Sequence, residues 1–98
     1  MGEFVVYKYQ ILWKEISSRG EVEIEMPCNS TILHVGTQEG RPCIWARIEK
    51  SSATRMIKFL ILATGQKYDR LGEDCEAIHV GTIFTDPALV FHVFEVVT

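Results

Sequence analysis

The tetrapeptide His34-Val35-Gly36-Thr37 occurs a second time in the chain, as His79-Val80-Gly81-Thr82. In both copies four residues follow and then a proline, Pro42 in the first and Pro87 in the second. An apolar run that ends in glutamate comes next in each copy. Valine and threonine favour strands, and proline favours the turn between them. The repeat therefore predicts two similar hairpins, each made of a strand, a turn and a second strand.

The glycine of the tetrapeptide stands at the same distance from the turn in both hairpins. Glycine inside a strand is typical of a bulge, a sharp coil or a place where another chain element comes close. We therefore expect Gly36 and Gly81 to mark equivalent bends, where two curled sheets close over one core. The turns are predicted at residues 39–42, where Gly40 supplies a positive φ, and at Asp86-Pro87. A chance repeat in a β-rich chain is the alternative.

The rest of the chain shows the same pattern, because β-branched and aromatic residues fall in short runs separated by turn residues. The second strand alternates Val22, Ile24 and Met26 with three glutamates, which predicts one core face and one solvated face. The fifth strand is apolar at nearly every position, which predicts a central strand covered on both faces. We predict seven strands, at residues 4–13, 21–26, 31–38, 41–49, 56–64, 77–85 and 88–97.

Seven strands without a convincing helix define the expected fold. Residues 1–98 are predicted to form a single all-β domain, either a small antiparallel sandwich or a partly open barrel, built from hairpins.

The composition limits the functions to consider. The 98 residues carry 10 basic and 13 acidic side chains, and this net charge of −3 argues against binding to the phosphate backbone of nucleic acids. Three cysteines, an odd number without a CxxC pair, argue against a disulfide framework or a zinc finger and favour the cytoplasm. The apolar runs have the length of strands, so we expect no membrane segment.

Trp45 and Arg47 form the first candidate contact surface. Strand alternation places both side chains on one face of the fourth strand, where the guanidinium could stack on the indole ring. Such a pair would offer a surface to a nucleobase or a peptide. The alternative is that Trp45 is buried in the core, as tryptophan is on average.

The second candidate is the longest stretch outside the strands, residues 65–76. It contains two glycines and six charged residues, and one turn of helix is predicted near residues 68–71. Irregular loops on small scaffolds often carry binding residues. We therefore consider a contact with a ligand or partner through the polar residues at the centre of the loop, Lys67, Tyr68, Asp69 and Arg70. A plain solvated connection is the alternative.

The histidines suggest a metal hypothesis. His34 and His79 occupy equivalent points of the two hairpins, so a pseudo-twofold axis would bring their rings together, and His92 lies on the strand that pairs with His79. Three imidazoles are a known zinc ligand set, although a structural role for each ring is the alternative. No GxSxG elbow, P-loop or HExxH spacing is present in the sequence. We therefore predict no catalytic residue, no metal and no cofactor.

Several segments of the chain are similar to a known family. These segments are residues 25–27, 32–35, 40–46, 59–61, 64–65, 81–82 and 89–95. Together they resemble a family of short phage and prophage proteins that carries a domain-of-unknown-function label, and the resemblance extends from about Tyr7 to Glu95. It implies a phage origin and no activity, so no functional residue is carried over from it.

These observations lead to three functional hypotheses. The first is a non-enzymatic binding protein, encoded by a phage and acting in the host cytoplasm. It would inhibit a host defence protein or sequester a small signalling ligand, and a homo-oligomer would supply a shared pocket. The second is a structural or virion-associated β-domain that adds an exposed strand edge to a neighbour's sheet. The third is a metal-dependent enzyme that uses His34, His79 and His92.

Overall fold

The computed structural model describes residues 3–85 and 88–98. Within these residues the chain forms seven strands and one 3-10 turn, Trp13–Glu15. The strands are β1 (Phe4–Gln10), β2 (Glu21–Pro27), β3 (Ser30–Gln38), β4 (Arg41–Glu49), β5 (Thr54–Ala63), β6 (Glu76–Thr85) and β7 (Leu89–Val97). In the part of the chain that is described, no helix is long and apolar enough to span a bilayer.

The strands form two antiparallel sheets. Sheet A has the order β1-β4-β3, and sheet B has the order β2-β5-β7-β6. The sheets pack as two layers over one core and do not close into a barrel. The prediction of a small all-β sandwich is therefore confirmed.

The core lies between the two sheets and consists of aliphatic side chains with one phenylalanine at its centre. Phe59, Ile44 and Ala46 are at most 1% exposed. Of the residues in the predicted alternation of β2, Val22 and Met26 are buried and Glu23 and Glu25 are exposed, whereas Ile24 and Glu21 are half-buried. The core cluster comprises Ile11, Val22, Met26, Val35, Ile44, Ala46, Ile48, Ile57, Phe59, Ile61, Ile83 and Val93.

Strand β5 is central in sheet B, as its apolar sequence predicted. It pairs with β2 on one side and with β7 on the other. Phe59, Leu60 and Ile61 are all at most 2% exposed, although successive side chains point to opposite faces of a sheet. The outer face of sheet B is therefore also covered at this point.

The turn between β3 and β4 is a tight two-residue hairpin. Gln38 pairs with Arg41, and the two residues between them have positive φ angles, 54° at Glu39 and 76° at Gly40. This combination is typical of a type I′ turn, whose twist matches that of the flanking strands. The predicted role of Gly40 is confirmed. The predicted turn at Asp86-Pro87 lies outside the described residues.

The repeated tetrapeptides do lie at irregular points of β3 and β6, but the two irregularities differ. In β3 the register shifts at Leu33, just before His34, whereas in β6 it shifts at Val80, just after His79. A Cβ atom on Gly81 would lie 2.0 Å from Cγ2 of Val35. One tetrapeptide therefore packs directly against the other, and Gly81 leaves the space for that contact.

Two predicted strand ends differ from the structure by two residues or more, and one predicted helical turn is absent. β1 ends at Gln10, not at Trp13, because the chain bends into the 3-10 turn after the N–H of Ile11 bonds to the carbonyl of Pro42. β5 begins two residues earlier than predicted, at Thr54, because pairing with Pro27 of β2 extends it. The helical turn predicted near residues 68–71 is not formed.

Candidate binding groove

A groove opens at one end of the sandwich, where the turn of the first repeated hairpin approaches the ends of β6 and β7. Its volume is about 550 Å³. Four large apolar side chains and two threonines make up most of the lining. The lining residues are Trp13, Thr37, Gly40, Phe84, Thr85, Leu89 and Phe91.

Trp13 forms a fixed wall of this groove. Its 3-10 turn is closed by the N–H of Leu12, which donates to the Glu15 carboxylate at 2.8 Å. The indole Nε1–H donates to the carbonyl oxygen of Gly40 at 2.7 Å, and the ring packs on Phe91 with centroids 5.1 Å apart. Trp13 thus contacts both repeated hairpins at once, which holds the groove in shape.

The rim of the groove is apolar and open to solvent. Phe84 is 69% exposed and Leu89 is 54% exposed. Covering such side chains is favourable by roughly 25 cal/mol for each Å² of apolar surface removed from water. Contiguous apolar surface of this kind is typical of interaction sites on soluble proteins.

The polar groups of the groove are few and uncharged. The Thr85 hydroxyl donates to the carbonyl oxygen of Leu89 at 3.3 Å, and the Gly40 carbonyl already accepts from Trp13. Thr37 supplies a further hydroxyl, and among the described lining residues none carries a charged side chain. Ligand sites of roughly 300–1,000 Å³ with mainly apolar walls bind apolar groups that a few polar groups orient. The described lining therefore fits an uncharged apolar group and offers a phosphate no cation.

The predicted Trp45–Arg47 stack is not formed. The guanidinium carbon of Arg47 lies 4.9 Å from the centroid of the Phe4 ring, because β1 pairs alongside β4 and brings Phe4 diagonally opposite. Trp45 is half-buried and packs on His34, with ring centroids 5.6 Å apart. Both residues lie on the outer face of sheet A, and neither lines the groove.

The long loop, with its candidate residues, lies across the outer face of sheet B. The hydroxyl of Tyr68 donates to the carboxylate of Glu21. Leu60, which pairs with Glu21, is only 1% exposed, so this part of the face is shielded from solvent. The other three candidate side chains, Lys67, Asp69 and Arg70, are exposed.

The bond between Tyr68 and Glu21 shifts two pKa values in opposite directions. Burial and the bond to Glu21 raise the pKa of Tyr68 from 10.0 to about 12. The same bond lowers the pKa of Glu21, and the positive charge of Lys58 adds to this effect while burial opposes it. Tyr68 is therefore a structural anchor, and we expect it to remain protonated at neutral pH.

The three histidines do not converge. His34 lies on the outer face of sheet A, opposite Trp45, whereas His79 and His92 lie on the outer face of sheet B. The hydroxyl of Thr82 lies 3.1 Å from Nε2 of His79 and 3.3 Å from Nδ1 of His92. His34 packs on Trp45, whereas His79 packs on Phe94, so each ring has its own neighbour within its own sheet. Among residues 3–85 and 88–98, no three His, Cys, Asp or Glu side chains are grouped to hold a metal ion.

Sequence reasoning missed the groove. Its walls come from distant parts of the chain, and the contact of Trp13 with Gly40 depends on how the two sheets stack. One signal was available, because large apolar residues, Phe84 and Leu89, flank the second predicted turn where polar residues are usual.

Comparison with known protein families gives a match. The model of a family described as Domain of unknown function (DUF7352) matches residues 4–98. The chain belongs to the DUF7352 family. No curated protein and no solved structure matches it. The DUF7352 match includes all seven strands and every residue that lines the groove, and its description names no activity.

Proposed function

We propose that the domain is a non-enzymatic binding protein whose groove takes an apolar side chain from a partner protein. The observation that carries this proposal is a groove of about 550 Å³ whose described lining has four large apolar side chains and no charged one. None of the lining residues in the described part of the chain is titratable, which also supports binding without catalysis, because proton transfer needs an acid or a base within reach.

The shape of the groove favours a protein over a small ligand. Drug-sized ligands are usually enclosed over roughly 70–90% of their surface, whereas Phe84 and Leu89 stand largely in solvent at the rim. A protein surface would cover these two residues and insert a side chain between them, which is the arrangement of interface hot spots. A nucleotide-like signalling ligand is disfavoured, because its phosphates would find no cation among the seven lining residues that the structure describes.

The proposal also includes a phage origin and a location in the host cytoplasm. The resemblance of residues 7–95 to short phage and prophage proteins supports a phage origin, with a host protein such as a defence component as the partner. Cys28, Cys43 and Cys75 are all free thiols, which supports the reducing host cytoplasm.

Nuclear magnetic resonance of the two indole N–H groups tests the groove directly. Trp13 lines the groove, whereas Trp45 lies on sheet A and serves as an internal control. The probe is the uncharged peptide acetyl-Ala-Phe-Ala-amide, and the same peptide with serine in place of phenylalanine is its control. We expect a saturable shift of the Trp13 signal with the phenylalanine peptide only.

A matched pair of variants distinguishes binding in the groove from nonspecific binding to exposed apolar side chains. Leu89→Ser removes a rim residue that is 54% exposed, and Leu33→Ser removes a residue of β3 that is 52% exposed. We expect Leu89→Ser to abolish the Trp13 shift and Leu33→Ser to preserve it. The proposal fails if Trp13 does not respond, if Trp45 responds instead, or if adenosine monophosphate produces the larger shift.

A further inference from the structure

The four edge strands of the described sandwich differ in how they are protected. An edge strand presents unpaired N–H and C=O groups to which another strand can add. The edges β3 and β6 lie against each other, so neither is open. The edge β2 carries three glutamates on one face, Glu21, Glu23 and Glu25, and these would repel the same row in a second copy. Only β1 has neither form of protection.

Strand β1 combines this free edge with exposed apolar side chains on both of its faces. Phe4 is 60% exposed, Val6 is 53% exposed and Tyr7 is 51% exposed. Its only charged residue is Lys8, and its whole length pairs with β4 on the other side. We propose that β1 pairs with β1 of a second copy, antiparallel and about a twofold axis, so that the two A sheets form one continuous sheet.

The residues of β1 complement themselves in this arrangement. With Val6 opposite Val6, the geometry of an antiparallel pair places Val5 opposite Tyr7 and Phe4 opposite Lys8. Each pair is favourable, since the first two are apolar and the third brings a cation to an aromatic ring. A parallel pair in register would set Lys8 beside Lys8, so the antiparallel arrangement is preferred.

The proposed contact is small. One strand of seven residues gives an interface smaller than the 1,200–2,000 Å² or so of standard complexes, so the dimer is expected to be reversible. The contact lies on β1 and shares no residue with the groove lining, so it stands independently of the proposed binding function.

Sedimentation equilibrium over a range of protein concentrations tests the proposal. We expect the wild-type mass to rise with concentration from 11.2 kDa towards twice that value. Val6→Lys places like charges opposite each other and should raise the dimer dissociation constant by about tenfold or more, equivalent to about 1.4 kcal/mol. Leu33→Lys is the matched control, because Leu33 is equally exposed but lies on β3, and it should leave the dimer unchanged.

Hydrogen exchange of the wild-type protein provides a second measurement that needs no variant. Alternate N–H groups of β1 face the open edge, and their exchange should slow as the concentration rises, while the edge amides of β2 stay unaffected. The proposal is overturned if the wild type remains monomeric at its highest attainable concentration. It is also overturned if Val6→Lys dimerises as the wild type does, or if protection appears on β2.

Discussion

Gly36 and Gly81 occupy equivalent places in the repeat but have different roles in the fold. At Gly81 a Cβ atom would clash with the buried side chain of Val35 at 2.0 Å. At Gly36 the nearest atom would be Nε2 of His34 at 3.2 Å, which belongs to an exposed ring that can turn away. Identical residues in a repeat therefore do not imply identical packing.

The substitution Gly81→Ala tests this difference. We expect it to lower the free energy of unfolding by about 1–3 kcal/mol, because overpacking displaces side chains between β3 and β6. Gly36→Ala is the control and should lower the free energy of unfolding by a clearly smaller amount. Denaturant unfolding measures both values. Equal losses would contradict the packing of Val35 on Gly81, whereas a smaller cost of Gly81→Ala in a Val35→Ala background would support it.

At the scale of elements, one side-chain hydrogen bond ties the long loop to β2 of sheet B. The Tyr68 hydroxyl donates to the Glu21 carboxylate on β2. We expect Tyr68→Phe to lower the free energy of unfolding by about 1 kcal/mol at neutral pH, the usual net value of such a bond. Denaturant unfolding measures the loss, and Tyr7→Phe, which removes an exposed hydroxyl from β1, is the control.

The same bond predicts a pH dependence. The pKa of Glu21 is lowered from 4.5, so its contribution is present above that pH and is lost as the pH falls through the folded value. The pKa of Tyr68 is raised from 10.0 to about 12, so its contribution is complete below pH 10.0 and is lost between these values. At pH values well below 4.5, the free energies of unfolding of the wild type and Tyr68→Phe should therefore differ by less than at neutral pH. A difference that grows in acid would contradict this assignment.

The elements themselves were largely predictable from the sequence, and the groove was not. Alternation identified β2, and continuous apolarity identified β5 as central, because these patterns depend only on strand geometry and burial. The end of β1 could not be predicted, since Ile11 and Leu12 continue its apolar run and only the bond to Pro42 and the 3-10 turn show where it stops. The groove depends on how sheet A stacks on sheet B, and no local pattern encodes that arrangement.

At the scale of the whole molecule, the three cysteines differ in solvent exposure, so their rates of modification measure different extents of unfolding. Cys28 is exposed and Cys75 is partly exposed, whereas Cys43 is 1% exposed on the central strand of sheet A. With iodoacetamide under native conditions we expect Cys28 to react first and Cys43 to react only as fast as the sandwich unfolds. Mass spectrometry of the peptides measures each rate, and labelling in urea should make the three rates similar. Modification of Cys43 as fast as Cys28 would contradict its burial.

The facing edges of β3 and β6 also bear on aggregation. A sandwich whose edges are all free can add strands without limit, which is how fibrils grow. In the described part of this chain, two edges shield each other and a third carries a row of glutamates. Strand addition at β1 would use the one edge that remains, so assembly would stop at two copies. With this arrangement of edges, two copies can associate through β1, but further strands cannot add to form a fibril.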